Sequence, residues 1–266
     1  MTATSNNLQV KNTQVGPTIV TENLLDIWDV SSVHSYPRTG TTLYGLVKRN
    51  KNDGSMVNMA SSNFIDEAVG VFAFDGTDEY ISIVDNDSID VGSDSFSVML
   101  WIKPDQDGFD GPGSASFILV NKRGDGTFGS NAGWQVRING SKSDGYWRLY
   151  NTGIDDASGS YFMKVSTRHY NFGWNHIALT YDADTGFDLY VNGNRESGMT
   201  IGAGTYGSLS NNIPLEIGGT KYINGSVTTA RSLFEGSIAL VHLYNKYLSR
   251  EQVQQNFMAS RGRFGL

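Results

Sequence analysis

The chain has 266 residues, 39% hydrophobic and 12% aromatic, with a formal charge of −7, 31 glycines, five prolines and no cysteine. That is enough apolar material for one core of ordinary density, and a β-sandwich of this length commonly forms a single domain. The acidic balance excludes a general affinity for nucleic acid or an anionic membrane surface, the lack of cysteine excludes disulfides and thiol chemistry, and no apolar run reaches the roughly 18 residues of a membrane span.

Met1–Asn7 carries neither the basic nor the apolar region of a signal peptide, so the expectation is a protein not exported by the common route. Residues 1–23 are polar and lack both helical and strand periodicity; they are expected to form an arm, either loose or ordered by a neighbour. Leu24-Leu25-Asp26-Ile27-Trp28 reads as a first strand, and Pro37 and Gly40 make residues 35–42 a loop. Lys48, Arg49 and Lys51 precede an Asn52-Asp53-Gly54 turn, and three charges there read as a solvated loop rather than a phosphate site.

Residues 71–84 hold two β-rich runs around Asp75-Gly76-Thr77-Asp78, a pattern that predicts a hairpin. In the next run Phe96, Val98, Leu100 and Ile102 alternate with Ser97, Met99 and Trp101, which predicts a strand with one face in the core. Residues 104–113 form an acidic, glycine-rich loop that suggests calcium. The spacing argues against it, because Phe109 and Asp110 stand where a calcium loop of the EF-hand kind needs an oxygen ligand and a glycine. Asp75 with Asp78, Asp85 with Asp87 and Asp90, and Asp182 with Asp184 raise the same question, and ordinary turn chemistry answers it equally well.

Strands are expected over 116–123, 133–139 and 146–150, the last with Tyr146, Trp147 and Tyr150. Such aromatics either pack a sandwich or stack on sugar rings. Residues 173–181 and 187–194 form a second hairpin that ends in Asn192-Gly193, and 214–219 and 234–244 supply the last strands. A helix begins at Ser249, which has a capping-box partner at Gln252 and an apolar stripe through Val253 and Phe257; it should dock beside the sandwich. The Asn-x-Ser matches at Asn86, Asn139 and Asn224 read as turn chemistry.

Taken in order, Phe74-Asp75-Gly76-Thr77-Asp78-Glu79-Tyr80, residues 96–104, Gly173-Trp174-Asn175-His176-Ile177-Ala178, Leu189-Tyr190-Val191-Asn192-Gly193 and Phe234-Glu235-Gly236-Ser237-Ile238 resemble the laminin G-like branch of the concanavalin A-like lectin/glucanase superfamily. The resemblance implies an all-β fold: a jelly-roll sandwich of two antiparallel sheets over residues 24–248, with an N-terminal arm at 1–23 and one C-terminal helix with its tail at 249–266. Residues 35–42, 248–257 and 263–266 resemble segments of laminin G-like structural proteins of tailed, especially marine, bacteriophages, although Leu43 and Gly45 stand where that group usually has Trp and Asp.

Glucanases of this fold pair carboxylates in a Glu-x-Asp-x-x-Glu run so that a nucleophile and an acid share one face of the sugar. No such run occurs, since Glu216 and Glu235 each lack a carboxylate two residues on. His34, His169, His176 and His242 fit no triad order, and His176 reads as a packed strand residue. The expectation is therefore a non-enzymatic virion protein, a capsid or tail decoration or appendage subunit, with no catalytic, cofactor or metal residues. Its expected partners are other virion proteins and host-surface glycans, with no nucleic acid and no membrane span, and homo-oligomer formation is left open. A glycan-binding module outside a virion is the alternative, and a glycoside hydrolase the remote third.

Overall fold

The computed structural model describes residues 17–47, 52–109, 115–123, 132–141, 143–150, 152–155, 161–201, 207–223 and 226–266. Among these, the fold is a jelly-roll-type sandwich of two antiparallel sheets. One sheet of eight strands runs Asn194–Arg195, Gly186–Val191, Asn175–Asp182, Phe96–Pro104, Glu235–Tyr244, Val71–Asp75 and Phe64–Ile65, with Leu24–Asp29 also paired to Glu235–Tyr244. The other, of ten, runs Gly198–Ile201, Tyr161–Ser166, Thr152–Asp155, Gly133–Ser141, Ala115–Arg123, Leu215–Ile217, Tyr80–Ile83, Gly54–Val57 and Thr42–Leu43, with Tyr146–Leu149 beside Gly133–Ser141. A two-stranded ribbon, Thr220–Ile223 with Ser226–Arg231, completes the β structure.

Alternation builds the core. Val98, Leu100 and Ile102 from one sheet meet Trp134, Val136 and Ile138 from the other in a single apolar cluster, where strand side chains of one parity all point inward. The expected first strand, the hairpin joining Asn175–Asp182 to Gly186–Val191, and the Asn192-Gly193 turn are all present.

Residues 71–84 do not form the expected hairpin. Val71–Asp75 pairs with Glu235–Tyr244 in the eight-stranded sheet, whereas Tyr80–Ile83 pairs with Leu215–Ile217 and Gly54–Val57 in the ten-stranded one. The turn between them is tight for local reasons: Gly76 has φ +71°, and the Asp75 carboxylate accepts from the Thr77 amide. A turn of that kind reverses the chain equally well within a sheet or from one sheet to the other. Phe72, Phe74, Ile81 and Ile83 all lie in the common core, so these two strands face each other across the sandwich.

Strand Phe96–Pro104 is also buried on both faces, not one. The C-terminal helix, Arg250–Ser260, and the short 3-10 turn after it lie across its outer side. Trp101 stacks on Phe264 at 4.0 Å between ring centroids and on Phe257 at 5.8 Å. Ser249 accepts from the Gln252 amide and Gln252 returns the bond, so the capping box holds. Residues 17–23 join the same layer: the Val20 amide donates to Asn256, Asn256 donates to the Tyr244 hydroxyl, and that hydroxyl donates to the Val20 carbonyl.

Two of the three segments that resemble phage proteins, 35–42 and 263–266, meet near one corner. Arg38 donates to the carbonyls of Val30 and Ser31, while Arg263 pairs with Asp29 at 2.8 Å and donates to the carbonyls of Ala68 and Gly70. Ser31 bonds the same Asp29 carboxylate, so both arginines work as clasps on the backbone around one turn.

Candidate functional site

The acidic candidates resolve into turns and one filled cation site. Asp182 accepts from the amides of Asp184 and Thr185, and Asp105 from that of Asp107, the usual Asx-turn pattern. Asp85 and Asp90 surround the buried ammonium of Lys122, at 2.6 and 2.8 Å. The Ile213 carbonyl at 2.9 Å and the Asn211 amide oxygen at 3.3 Å complete that oxygen shell. Such a donor set suits a hard cation, and a lysine head occupies it. Asp87 is exposed and takes no part. Among the described residues no group of three or more His, Asp or Glu is placed to hold a metal. Asp110-Gly111-Pro112-Gly113, the cluster Lys48, Arg49 and Lys51, and Asn224 lie outside the described residues.

The structure does not bring the histidines together as a catalytic group. His169 is exposed and stacks on Tyr146 at 3.6 Å, and His34 is exposed. His176 and His242 are buried beneath the C-terminal layer, His176 between Trp101 and Phe257. Burial pushes both down, His176 to about 3 with help from His242, and His242 to about 4 against the pull of Asp29. Glu235 belongs to the eight-stranded sheet and Glu216 to the ten-stranded one.

The two sheets differ on their outward faces. The eight-stranded sheet is roofed by the helix, while the ten-stranded sheet carries polar and aromatic side chains there. On Gly133–Ser141 the residues between the core positions Trp134, Val136 and Ile138 are Gln135, Arg137 and Asn139, so these point away from the core. Next to it, Tyr146, Arg148 and Tyr150 alternate with the buried Trp147 and Leu149. Asn139 lies opposite Arg148 and accepts from its Nε. The Arg148 guanidinium stands 6.0 Å from the centre of the Tyr150 ring. Tyr146, Arg148, Tyr150 and Arg137 are all partly exposed.

Arg137 sits where the neighbouring strand is interrupted. Above it Gly133–Ser141 pairs with Tyr146–Leu149 and below it with Thr152–Asp155. At the break the Arg137 backbone bonds the Thr152 hydroxyl in both directions, and its carbonyl also accepts from the Tyr150 amide.

Charge is unevenly settled along this face. Arg123 is fully buried and forks onto Asp155 at 2.5 and 3.1 Å. Glu216 accepts from Thr220, the first residue of the ribbon, which also accepts from Asn121; that end of the face is closed. Arg137 has no carboxylate partner among the described residues. Its Nη2 reaches Ser232 at 3.4 Å and its Nε is buried without a bond. Burial pushes its guanidinium down from the usual arginine range, Arg123 adds to that, and the nearby Tyr150 phenol opposes it.

Arg137 and Arg148 fall inside the expected strands 133–139 and 146–150, and neither stands out in the sequence as a site residue. The signal available was a basic residue between apolar ones in a strand with one buried face. Separately, a cavity of about 570 Å³ lies on the opposite side of the molecule between Ile19, Ile27, Leu240, His242 and Met258, with Arg263 and Asp29 paired at its wall.

A laminin G-like family model, described as the concanavalin A-like lectin/glucanases superfamily, matches residues 75–254. No curated protein matches the sequence. Among solved structures, the binding domain of Paraclostridial Mosquitocidal Protein 1 superposes with a TM-score of 0.61 at 16% identity, covering 88% of this chain and 52% of that one. Trypanosoma rangeli sialidase in complex with sialic acid gives 0.57 at 15%, covering 94% of this chain and 36% of that one. A mutant of that sialidase displaying trans-sialidase activity gives 0.58 at 16%, covering 94% and 35%. The chain thus spans about half of the first protein and about a third of the sialidases, and at these identities the likeness is one of fold alone.

Proposed function

The chain belongs to the laminin G-like family of the concanavalin A-like lectin/glucanases superfamily, and from that premise we propose that it is a non-catalytic glycan-binding module that reads sugars with the outward face of its ten-stranded sheet. The observation that carries this reading is the partly exposed row of Tyr146, Arg148 and Tyr150 beside Arg137. A sugar ring offers an apolar C–H face and a polar rim, which aromatic faces flanked by hydrogen-bond donors recognise. Among the described residues the opposite sheet has no comparable row, because the helix lies over it.

The non-catalytic part rests on the carboxylates of this face. The usual glycoside cleavage uses two of them reachable by one sugar. Asp155 and Glu216 are buried, the first held by Arg123 and the second by Thr220. A polysaccharide panel tests both halves: binding without released sugar is expected, with on the order of tenfold weaker binding after Tyr150→Ala. Released reducing ends, absent after Glu216→Gln, would make the protein a hydrolase.

A virion setting is the second reading, and the resemblance of residues 35–42, 248–257 and 263–266 to phage structural proteins favours it. In that setting the module decorates a capsid or tail and turns its glycan face outward. Mass spectrometry of purified particles tests it, and absence from every particle fraction rejects it.

A further inference from the structure

Arg137 differs from the other buried cations discussed above. Arg123 has Asp155, Lys122 has Asp85 and Asp90, and Arg263 has Asp29. Arg137 is desolvated, stands near a second arginine, and among the described residues finds only the Ser232 hydroxyl at 3.4 Å. An ionised group held out of water without a counter-charge costs folding free energy. Arginine does not escape that cost by giving up its proton at ordinary pH. Arg148 is the next cation along the face, and among the described residues it meets an amide oxygen and an aromatic ring but no carboxylate.

The location limits what could supply the missing charge. Arg137 is partly exposed, at a gap in the strand pairing, with the Tyr150 ring beside it and Arg148 beyond. A guanidinium matches the planar two-oxygen edge of a carboxylate, and an adjacent tyrosine ring matches the C–H face of a sugar. The net charge of −7 repels polyanions at long range, so an anionic ligand must be held by this local pair of cations rather than by the general field.

We propose that the glycan face is built for a carboxylate-bearing sugar, of uronic or sialic acid type, with Arg137 binding the carboxylate, Tyr150 packing on the ring and Arg148 at the rim. This rests on the glycan-binding reading above and narrows its ligand class.

The test measures binding of the full chain to polygalacturonate, to its methyl-esterified form, to a sialylated oligosaccharide, to dextran sulfate and to neutral dextran. Wild type is expected to bind polygalacturonate or the sialylated ligand and to lose that binding on methyl esterification. Arg137→Gln is expected to weaken it on the order of tenfold or more, while Arg250→Gln, an exposed change on the helix of the opposite sheet, leaves it intact. Thermal unfolding separates a ligand role from a structural one. Removing an uncompensated cation should leave the midpoint of Arg137→Gln equal to or above wild type, whereas a lower midpoint would make Arg137 a structural residue and overturn the proposal. Binding to dextran alone, or equal binding by Arg137→Gln, overturns the acidic-sugar inference and leaves the glycan module standing. Binding to dextran sulfate but to no carboxylate-bearing ligand also overturns it. No binding to any of the five overturns both.

Discussion

Lys122 and Arg137 show how two basic residues take different roles according to what surrounds each. The Lys122 ammonium is buried but lies within 2.6 to 2.9 Å of two carboxylates and a carbonyl, so its desolvation is offset. Replacing it in Lys122→Met leaves Asp85 and Asp90 facing each other. Because those carboxylates are about one-fifth exposed, the expected loss is about 2 kcal/mol rather than the larger figure for a wholly buried pair, read from urea denaturation. With Lys122 in place, millimolar calcium should leave the melting temperature unchanged, since the oxygen shell a calcium ion would need is already taken. A calcium-dependent rise in the wild type would show that a true metal site exists elsewhere in the chain.

At the level of elements, the C-terminal helix decides what the strand beneath it can be. Alternation in residues 96–103 is clear in sequence, yet Met99 and Trp101 are buried because the helix and Phe264 in the turn after it cover them. That layer also seals His176 and His242 in the neutral state. A histidine whose folded pKa is depressed favours the fold while both states are neutral; as pH falls below the unfolded value near 6.5, the unfolded chain takes up the proton and the folded one does not. With folded values of about 3 and about 4, the stability contributed by His176 and His242 is lost progressively below about pH 6.5. The two histidines face each other, with Trp101 and Phe257 also around His176 and Asp29 and Tyr244 around His242. The urea midpoint should therefore fall between about pH 7 and about pH 5, and His242→Gln should reduce that slope. A midpoint independent of pH in this range would contradict neutral burial of the pair.

For the whole molecule, the helix and tail cover one side of the sandwich, while on the other side Arg137, Tyr146, Arg148 and Tyr150 stay partly exposed. Residues 17–20, the helix and the tail at Phe264 share one layer, tied by Asn256 and Tyr244. A chain ending at Leu248 would uncover Met99, Trp101, Trp174 and Tyr244 together, an apolar patch too large for a stable monomer. Such a truncation should bind a hydrophobic dye and associate more than the full-length protein. The arginine clasps explain part of the end segments without any assembly partner, since Arg38 and Arg263 spend their donors on this chain's own carbonyls.

By itself the sequence determined the all-β class, most of the long strands, the capped helix and the family, because these follow from two-residue alternation, turn residues and short motifs that are local properties of the chain. Short strands such as Gly54–Val57 and Thr152–Asp155 lack the length for such a signal. Tertiary structure alone decided that Asp75-Gly76-Thr77-Asp78 links two sheets instead of closing a hairpin, because the turn's hydrogen bonds are the same either way and only the distant partner strands differ. It alone decided which charges are matched: Lys122 meets Asp85 and Asp90 from more than thirty positions away, and Arg137 meets none among the described residues. Burial converts that mismatch into free energy, and burial is set by the assembled sheets rather than by any stretch of the chain.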